Sequence, residues 1–261
     1  MKNGGADLQK YYQQVYSKNK DGHFLKYREG RTLAEEHRVS LQWIQERVKH
    51  LKKDGTLLDF GCGECDFLGH IDASRKIGID FSETALANAA EKYKNIEFLL
   101  GDHSKLEKFN AQCDVVVSFG TIEHVEDPKS IFQRLLNCVK PKGMLIVSCP
   151  SFLNVRGVIW MTLATLFKVP MSLSDKHYLS PADIKRWAAE LGKNVITKTV
   201  DMDVGQGSYF QKDMERRLTN ALRDAKMDGS RVRELIQWVM DNREYFAMNE
   251  FSGANAVYLI S

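Results

Sequence analysis

Thr56 to Leu68, T-L-L-D-F-G-C-G-E-C-D-F-L, ends an apolar run in an acid, Asp59, and follows it at once with Gly61 and Gly63. This order of residue types predicts a strand, a tight turn and a helix starting near Cys65, an arrangement that cradles a nucleotide. Glycine at both turn positions lets the backbone approach a ligand closely, because no Cβ intrudes. Two ligand classes are poorly served. The dinucleotide turn G-x-G-x-x-G needs a glycine at position 66, where Asp66 stands. A phosphate loop needs a lysine after its glycines, and none follows. An acid beside a short Gly-x-Gly turn suits a cationic ligand without phosphate.

Further acids recur where a repeating strand and helix pattern would place them. Lys76 to Asp80 reads as a buried strand, and Asp80 stands nineteen residues after Gly61. A carboxylate about that far along accepts hydrogen bonds from ribose hydroxyls. Phe81 is next, placed to lie on an adenine face. Ser82 is the expected cap of a helix running to Tyr93. Ile96 to Leu100 is a third strand, followed by Gly101, Asp102 and His103. Cys113 to Phe119 is a fourth, and its near-continuous apolar run suits a parallel strand covered on both faces. Then come G-T-I-E-H-V-E-D-P, a helix from Pro128 to Val139, a K-P-K-G turn and a fifth strand from Met144 to Ser148. That order predicts an α/β fold, a doubly wound, Rossmann-like sheet with ligands at the carboxyl ends of its strands.

From about Thr56 to Ser151 the ordered set resembles the class I S-adenosylmethionine-dependent methyltransferases. Ile122 to Pro128, I-E-H-V-E-D-P, is similar to their small-molecule branch, which includes quinone-pathway O-methyltransferases. The resemblance implies a seven-stranded, mostly parallel sheet with helices on both faces and an antiparallel last strand. It implies S-adenosylmethionine as cofactor and S-adenosylhomocysteine as product. Asp59, Gly61, Cys62 and Gly63 would lie under the methionine part, with Asp80 and Phe81 at the ribose and adenine. Asp102 and the His103 backbone would meet the adenine edge, and Phe119 would complete the cofactor site. His124 is the expected general base, with Glu123 orienting it or pairing with a cationic substrate. Relatives with E-x-x-E-H hold a divalent ion, but Gly120 replaces the first glutamate here, so no metal is expected. Oxygen leads as the acceptor atom by analogy. N-methylation of an amine or amino sugar, and a non-catalytic cofactor-binding or scaffold protein, are the alternatives.

Composition bounds the partners. The formal net charge of +3 over 261 residues gives no argument for nucleic acid, and no basic run stands out. Five cysteines, an odd number mostly embedded in strands, and the lack of a secretory apolar region after Met1 point to the cytoplasm. Cys62 and Cys65 form C-x-x-C, but no second pair stands at zinc spacing, so they read as small residues of the cofactor loop.

Three additions outside the core are expected to choose the substrate. Residues 1–51 form an N-terminal helical lid segment, with Tyr11, Tyr12, Val15 and Tyr16 as an aromatic stripe, Tyr12 and Tyr16 as substrate contacts, and Gly22 and Gly30 as hinges. Arg31 to Leu51 predicts one long helix with Leu33, His37, Leu41, Ile44 and Val48 on a common face. Residues 52–261 form the main domain, with a lid insertion at about 152–180 and a helical insertion at about 205–252. The apolar stretch 152–169 is read as a lid over an apolar acceptor in preference to a membrane contact. His177 precedes a helix capped by Ser180 and is a further substrate contact. A small-molecule acceptor is the expected partner, and a homodimer stays open.

Overall fold

The structure is a computed structural model that describes residue 13 and residues 33–169 and 175–261. Tyr11, Tyr12, Val15, Tyr16, Gly22 and Gly30 lie outside the described residues. Seven strands form one mixed sheet in the order β3-β2-β1-β4-β5-β7-β6, mostly parallel with antiparallel last strands. The strands are β1 (Thr56–Phe60), β2 (Arg75–Asp80), β3 (Glu97–Leu100), β4 (Cys113–Phe119), β5 (Val139–Pro150), β6 (Val195–Val200) and β7 (Asn255–Ile260). The main helices are α1 (Glu35–Arg47), α2 (Glu83–Lys92), α3 (Pro128–Asn137), α4 (Val155–Phe167), α5 (Pro181–Glu190), α6 (Phe210–Asp224) and α7 (Val232–Asp241). The chain divides into two compact units, one holding the described residues up to Ser148 with Leu259–Ser261, the other Cys149–Tyr258.

In the first unit, the parallel ladders of β1 with β2 and β4 run through Leu57, Leu58, Ile77, Ile79 and Val115 to Val117. All of these are fully buried. Each such side chain withdrawn from water is worth about 1.5–3 kcal/mol, so these central strands anchor everything at their ends. Helix starts are read out as the side chains dictate. Ser82 Oγ accepts from the Ala85 N–H at the start of α2, and Asp127 accepts from the Ser130 N–H at the start of α3, with Pro128 at the first position.

Two elements depart from the sequence reading. The long helix expected over 31–51 is α1 alone, followed by a separate single turn, Leu51–Asp54. The Leu51 carbonyl accepts from both Gly55 and Ser74, which turns the chain into β1. The buried face of α1 centres on Val39, Ser40, Trp43 and Ile44, with Leu41 only half-buried. Trp43 offers the largest apolar surface on this helix, and its burial decides the rotation. The K-P-K-G turn is instead part of β5, a strand of 12 residues. Its ladder with β4 jumps from Cys113–Val139 to Val115–Met144, and Lys142 takes a left-handed φ of 71° inside the irregularity.

In the second unit, α4, α6 and α7 share one apolar core of Phe152, Trp160, Phe210, Met214, Leu218, Val232, Ile236 and Val239. Asn154 caps α4 by accepting from the Gly157 N–H at 2.7 Å and donates to the Gly253 carbonyl at 2.7 Å. The stretch read as a lid and the late helical insertion, separate in sequence, are therefore built around a common core. Ser180 and Asp183 form a reciprocal capping box on α5. Among the described residues, no helix is long and apolar enough to cross a membrane.

Candidate functional site

The turn after β1 is tied to its neighbour strand. The N–H groups of Gly61 and Cys62 both donate to the Ile79 carbonyl, at 2.8 and 3.1 Å. Gly61 and Gly63 have φ of 74° and 51°, left-handed values that glycine reaches without strain. A Cβ on Gly61 would also collide with the Thr121 side chain, so the turn and the loop after β4 meet with no room for one.

Asp80, at the end of β2, joins the second glycine to the next helix. Its Oδ2 accepts from the Gly63 N–H at 2.9 Å and its Oδ1 from the Ser82 N–H at 2.8 Å. Asp80 is buried, and burial raises its pKa against the opposing pull of these amides. Asp59 is buried too, and its Oδ1 has no hydrogen-bond partner among the described residues. Burial, and then the charge of Asp80, push the Asp59 carboxyl well above the usual carboxylate range. Two desolvated acids thus lie next to a glycine turn. Such a pair is costly for the protein by itself and becomes favourable when a cation arrives.

The other sequence-predicted residues are placed as follows. Phe81 follows Asp80 and is half-buried. Gly101 N–H donates to the Asp80 carbonyl at 2.9 Å, which brings the end of β3 beside the end of β2. Asp102 is exposed and its Oδ1 accepts from the Ser104 N–H at 2.9 Å, capping the 3-10 stretch His103–Phe109. His103 is exposed. Phe119 is half-buried at the end of β4. His177 lies half-buried in the second unit.

With this geometry in view, likeness to known proteins decides the family. A family model described as a methyltransferase domain matches residues 51–226. The chain belongs to the class I S-adenosylmethionine-dependent methyltransferases. It is 30% identical over 111 residues to a probable S-adenosylmethionine-dependent methyltransferase of Mycolicibacterium smegmatis, a match covering 41% of this chain and 43% of that one. The chain thus spans less than half the length of this relative. It is 30% identical over 183 residues to a ubiquinone biosynthesis O-methyltransferase of Rickettsia bellii, covering 64% of this chain and 71% of that one. In fold it is similar to a methyltransferase structure from Thermotoga maritima, titled a possible histamine N-methyltransferase. That likeness has a TM-score of 0.52 and 16% identity, and covers 96% of this chain and 99% of that one.

In this class I methyltransferase the loop after β4 carries the acid and imidazole singled out in the sequence. Ile122–His124 is a short 3-10 turn held by the His124 N–H donating to the Thr121 carbonyl at 3.0 Å. Glu123 is buried, and its Oε1 lies 3.9 Å from His124 Nε2, an ion-pair distance outside direct hydrogen-bond reach. One neighbour was read as no more than packing in the sequence. The His37 ring lies 4.7 Å from the Phe119 ring and 5.3 Å from the Phe67 ring, and those two rings are 4.9 Å apart. Burial, with a smaller push from His70, holds the His37 imidazole down to about 4, so it is neutral at physiological pH. Helical spacing had put His37 on the buried face of α1, but no pattern in the chain could show that its partners were Phe119 at the end of β4 and Phe67 in the helical turn Asp66–Gly69.

Proposed function

We propose that this chain transfers the methyl group of S-adenosylmethionine to an oxygen of a small organic acceptor. The observation that carries the cofactor half is the buried acid pair Asp59 and Asp80 beside the Gly61–Gly63 turn. When bound, S-adenosylmethionine supplies an electrophilic methyl group on a positively charged sulfur. Asp59, with its unpartnered oxygen, and Asp80 offer the negative field such a cation needs. Gly61 and Gly63 hold the left-handed backbone that keeps this turn tight beside the two acids. Asp80 would hold the ribose hydroxyls on the lone pairs that Gly63 and Ser82 leave over, Phe81 would cover the adenine, and Asp102 with the His103 backbone would meet its edge. Phe119 walls the site at the end of β4. Oxygen as the acceptor is supported by the likeness to ubiquinone biosynthesis O-methyltransferases.

The residues after β4 then do the acid–base work. His124 takes the acceptor proton as the new bond forms, and Glu123 orients the imidazole. The rest of the rate comes from holding the acceptor in line with the methyl group. Titration calorimetry of the whole chain with S-adenosylmethionine tests the first half, and absence of binding by folded protein overturns it. Methyl transfer from labelled cofactor to paired phenolic and amine acceptors tests the second, and transfer to amines alone overturns the oxygen assignment. His124→Gln is expected to lower turnover by about 10²–10⁴-fold, the usual worth of a general base, while cofactor affinity is kept. Unchanged turnover in that variant would move the base elsewhere.

Cofactor binding is also expected to be linked to protons. The Asp59 pKa is raised in the folded protein, so its share of stability is fully present below the unfolded value, about 3.9, and is lost as pH rises through the folded value. A cation bound beside Asp59 favours the ionised form and reverses that loss. Binding therefore releases protons within this window, and affinity rises with pH. Calorimetry in buffers of different ionisation enthalpy measures the released protons directly. In Asp59→Asn the release should fall, and the melting temperature of the free protein should depend less on pH.

A further inference from the structure

Cys62 and Cys65 are arranged as a pair, which the bland role of small loop residues does not require. They close a turn in which the Cys65 N–H donates to the Cys62 carbonyl at 2.8 Å. A turn of this kind holds its end Cα atoms within about 7 Å, close to the span a disulfide bridges. Both sulfurs converge on one point. A Cβ built on Gly78, in the middle of β2, would lie 2.9 Å from each of them. The two thiols fill the space of the side chain that Gly78 lacks. Cys65 also holds a left-handed φ of 59°. There a side chain costs about 1–2 kcal/mol that glycine would avoid. Backbone conformation alone favours glycine at 65.

We propose that Cys62 and Cys65 form a reversible thiol–disulfide modification site in the turn after β1, oxidised by a low-molecular-weight disulfide. Cys62 is partly buried and Cys65 fully buried, so Cys62 is the more accessible of the two, which sets the order of events. The Cys62 sulfur attacks one sulfur of the small disulfide, breaks its S–S bond and expels one small thiol, leaving a mixed disulfide on Cys62. The Cys65 sulfur then attacks the Cys62 sulfur and expels the second small thiol. The protein pair loses two electrons and two protons, and the two small thiols carry both away. Burial, with the neighbouring Cys65, Asp80 and Asp59, keeps Cys62 protonated, so the exchange is slow and is best read at equilibrium. In a second part, which rests on the cofactor reading above, S-adenosylmethionine lying over the turn shields Cys62.

The whole chain is equilibrated with oxidised and reduced glutathione at graded ratios, quenched by alkylation, and read by intact mass and peptide mapping. The expected product has lost two hydrogens within the peptide holding Cys62 and Cys65, returns to dithiol with dithiothreitol, and leaves Cys113, Cys138 and Cys149 alkylated. A bond that appears only in denaturant, or one that joins other cysteines, overturns the site. Cys65→Gly relaxes the left-handed position and removes the resolving sulfur, so it is expected to stay folded and accumulate one glutathione on Cys62. No adduct in that variant, with the bond still forming in the wild-type chain, overturns the order of attack. With S-adenosylmethionine at ten times its measured Kd, oxidation should slow about tenfold, in line with the unliganded fraction. Binding without protection overturns the shielding while leaving both the disulfide and the methyltransferase reading standing.

Discussion

Asp80→Asn is expected to weaken S-adenosylmethionine binding about a hundredfold. The carboxylate is proposed to accept the ribose hydroxyls, and hydrogen bonds to a charged group are worth about 1.5–3 kcal/mol each, with about 1.4 kcal/mol for every tenfold in affinity. The substitution also acts on the protein itself. Asp80 now accepts from the Gly63 and Ser82 N–H groups through its two oxygens. Asparagine offers one acceptor, so its amide group faces one of these N–H donors, and the glycine turn loses a tie to β2. Calorimetry gives the loss of affinity, and thermal unfolding of the free protein gives the part owed to the turn. If cofactor affinity is unchanged while the variant is folded, Asp80 does not hold the ribose.

The second large effect is expected in the helical unit, at Asp213→Ala. Arg156 is buried on α4, and its Nε lies 3.3 Å from Asp213 Oδ2 on α6. Burial pushes the Arg156 pKa down, while Asp213 works to keep it charged. Arg217 Nε also donates to Asp213, at 2.9 Å, and Arg216 at 3.4 Å, so one carboxylate serves three guanidinium groups. Burial would raise Asp213, but Arg217 and Arg156 outweigh it and leave its carboxyl below the usual range. Removing Asp213 strands a buried cation, which costs about 3–5 kcal/mol. Replacing both partners should recover most of the loss, because an apolar pair of similar volume has no charge to desolvate. Denaturant unfolding of Asp213→Ala and of Asp213→Ala with Arg156→Met measures both values. A double variant as unstable as the single one would show that the pair is not what holds α4 on α6. Because α4, α6 and α7 share one core, loss of this pair should loosen all three helices together.

Much of the strand and glycine turn around Gly61 was legible in the chain because it is local. Asp59, Gly61 and Gly63 are neighbours in sequence, and a turn with left-handed residues admits few residue types other than glycine. Ser82 and Ser180 declared the starts of α2 and α5, and Pro128 that of α3, since a capping oxygen or a proline acts within its own first turn. The K-P-K-G segment was misread for the same local reason. Glycine and proline signal a turn, whereas the ladder with β4 carries the chain through as an irregular strand.

Sequence by itself determined the order of strands and helices, the parallel core, the acid and glycine types at the strand ends, and the departure from the dinucleotide and phosphate-loop turns at Asp66 and the missing lysine. These follow from periodicity and from what each residue permits its own backbone. Only the tertiary structure decided that Asp80 grips Gly63 and Ser82, that Asp59 keeps an unpartnered oxygen beside it, and that the Cys62 and Cys65 sulfurs meet over Gly78. It also decided that His37 reaches Phe119 and that α4 shares a core with α6 and α7. Each of these depends on the distance between segments far apart in the chain. That distance is set by burial and ladder register, which no single stretch of residues encodes.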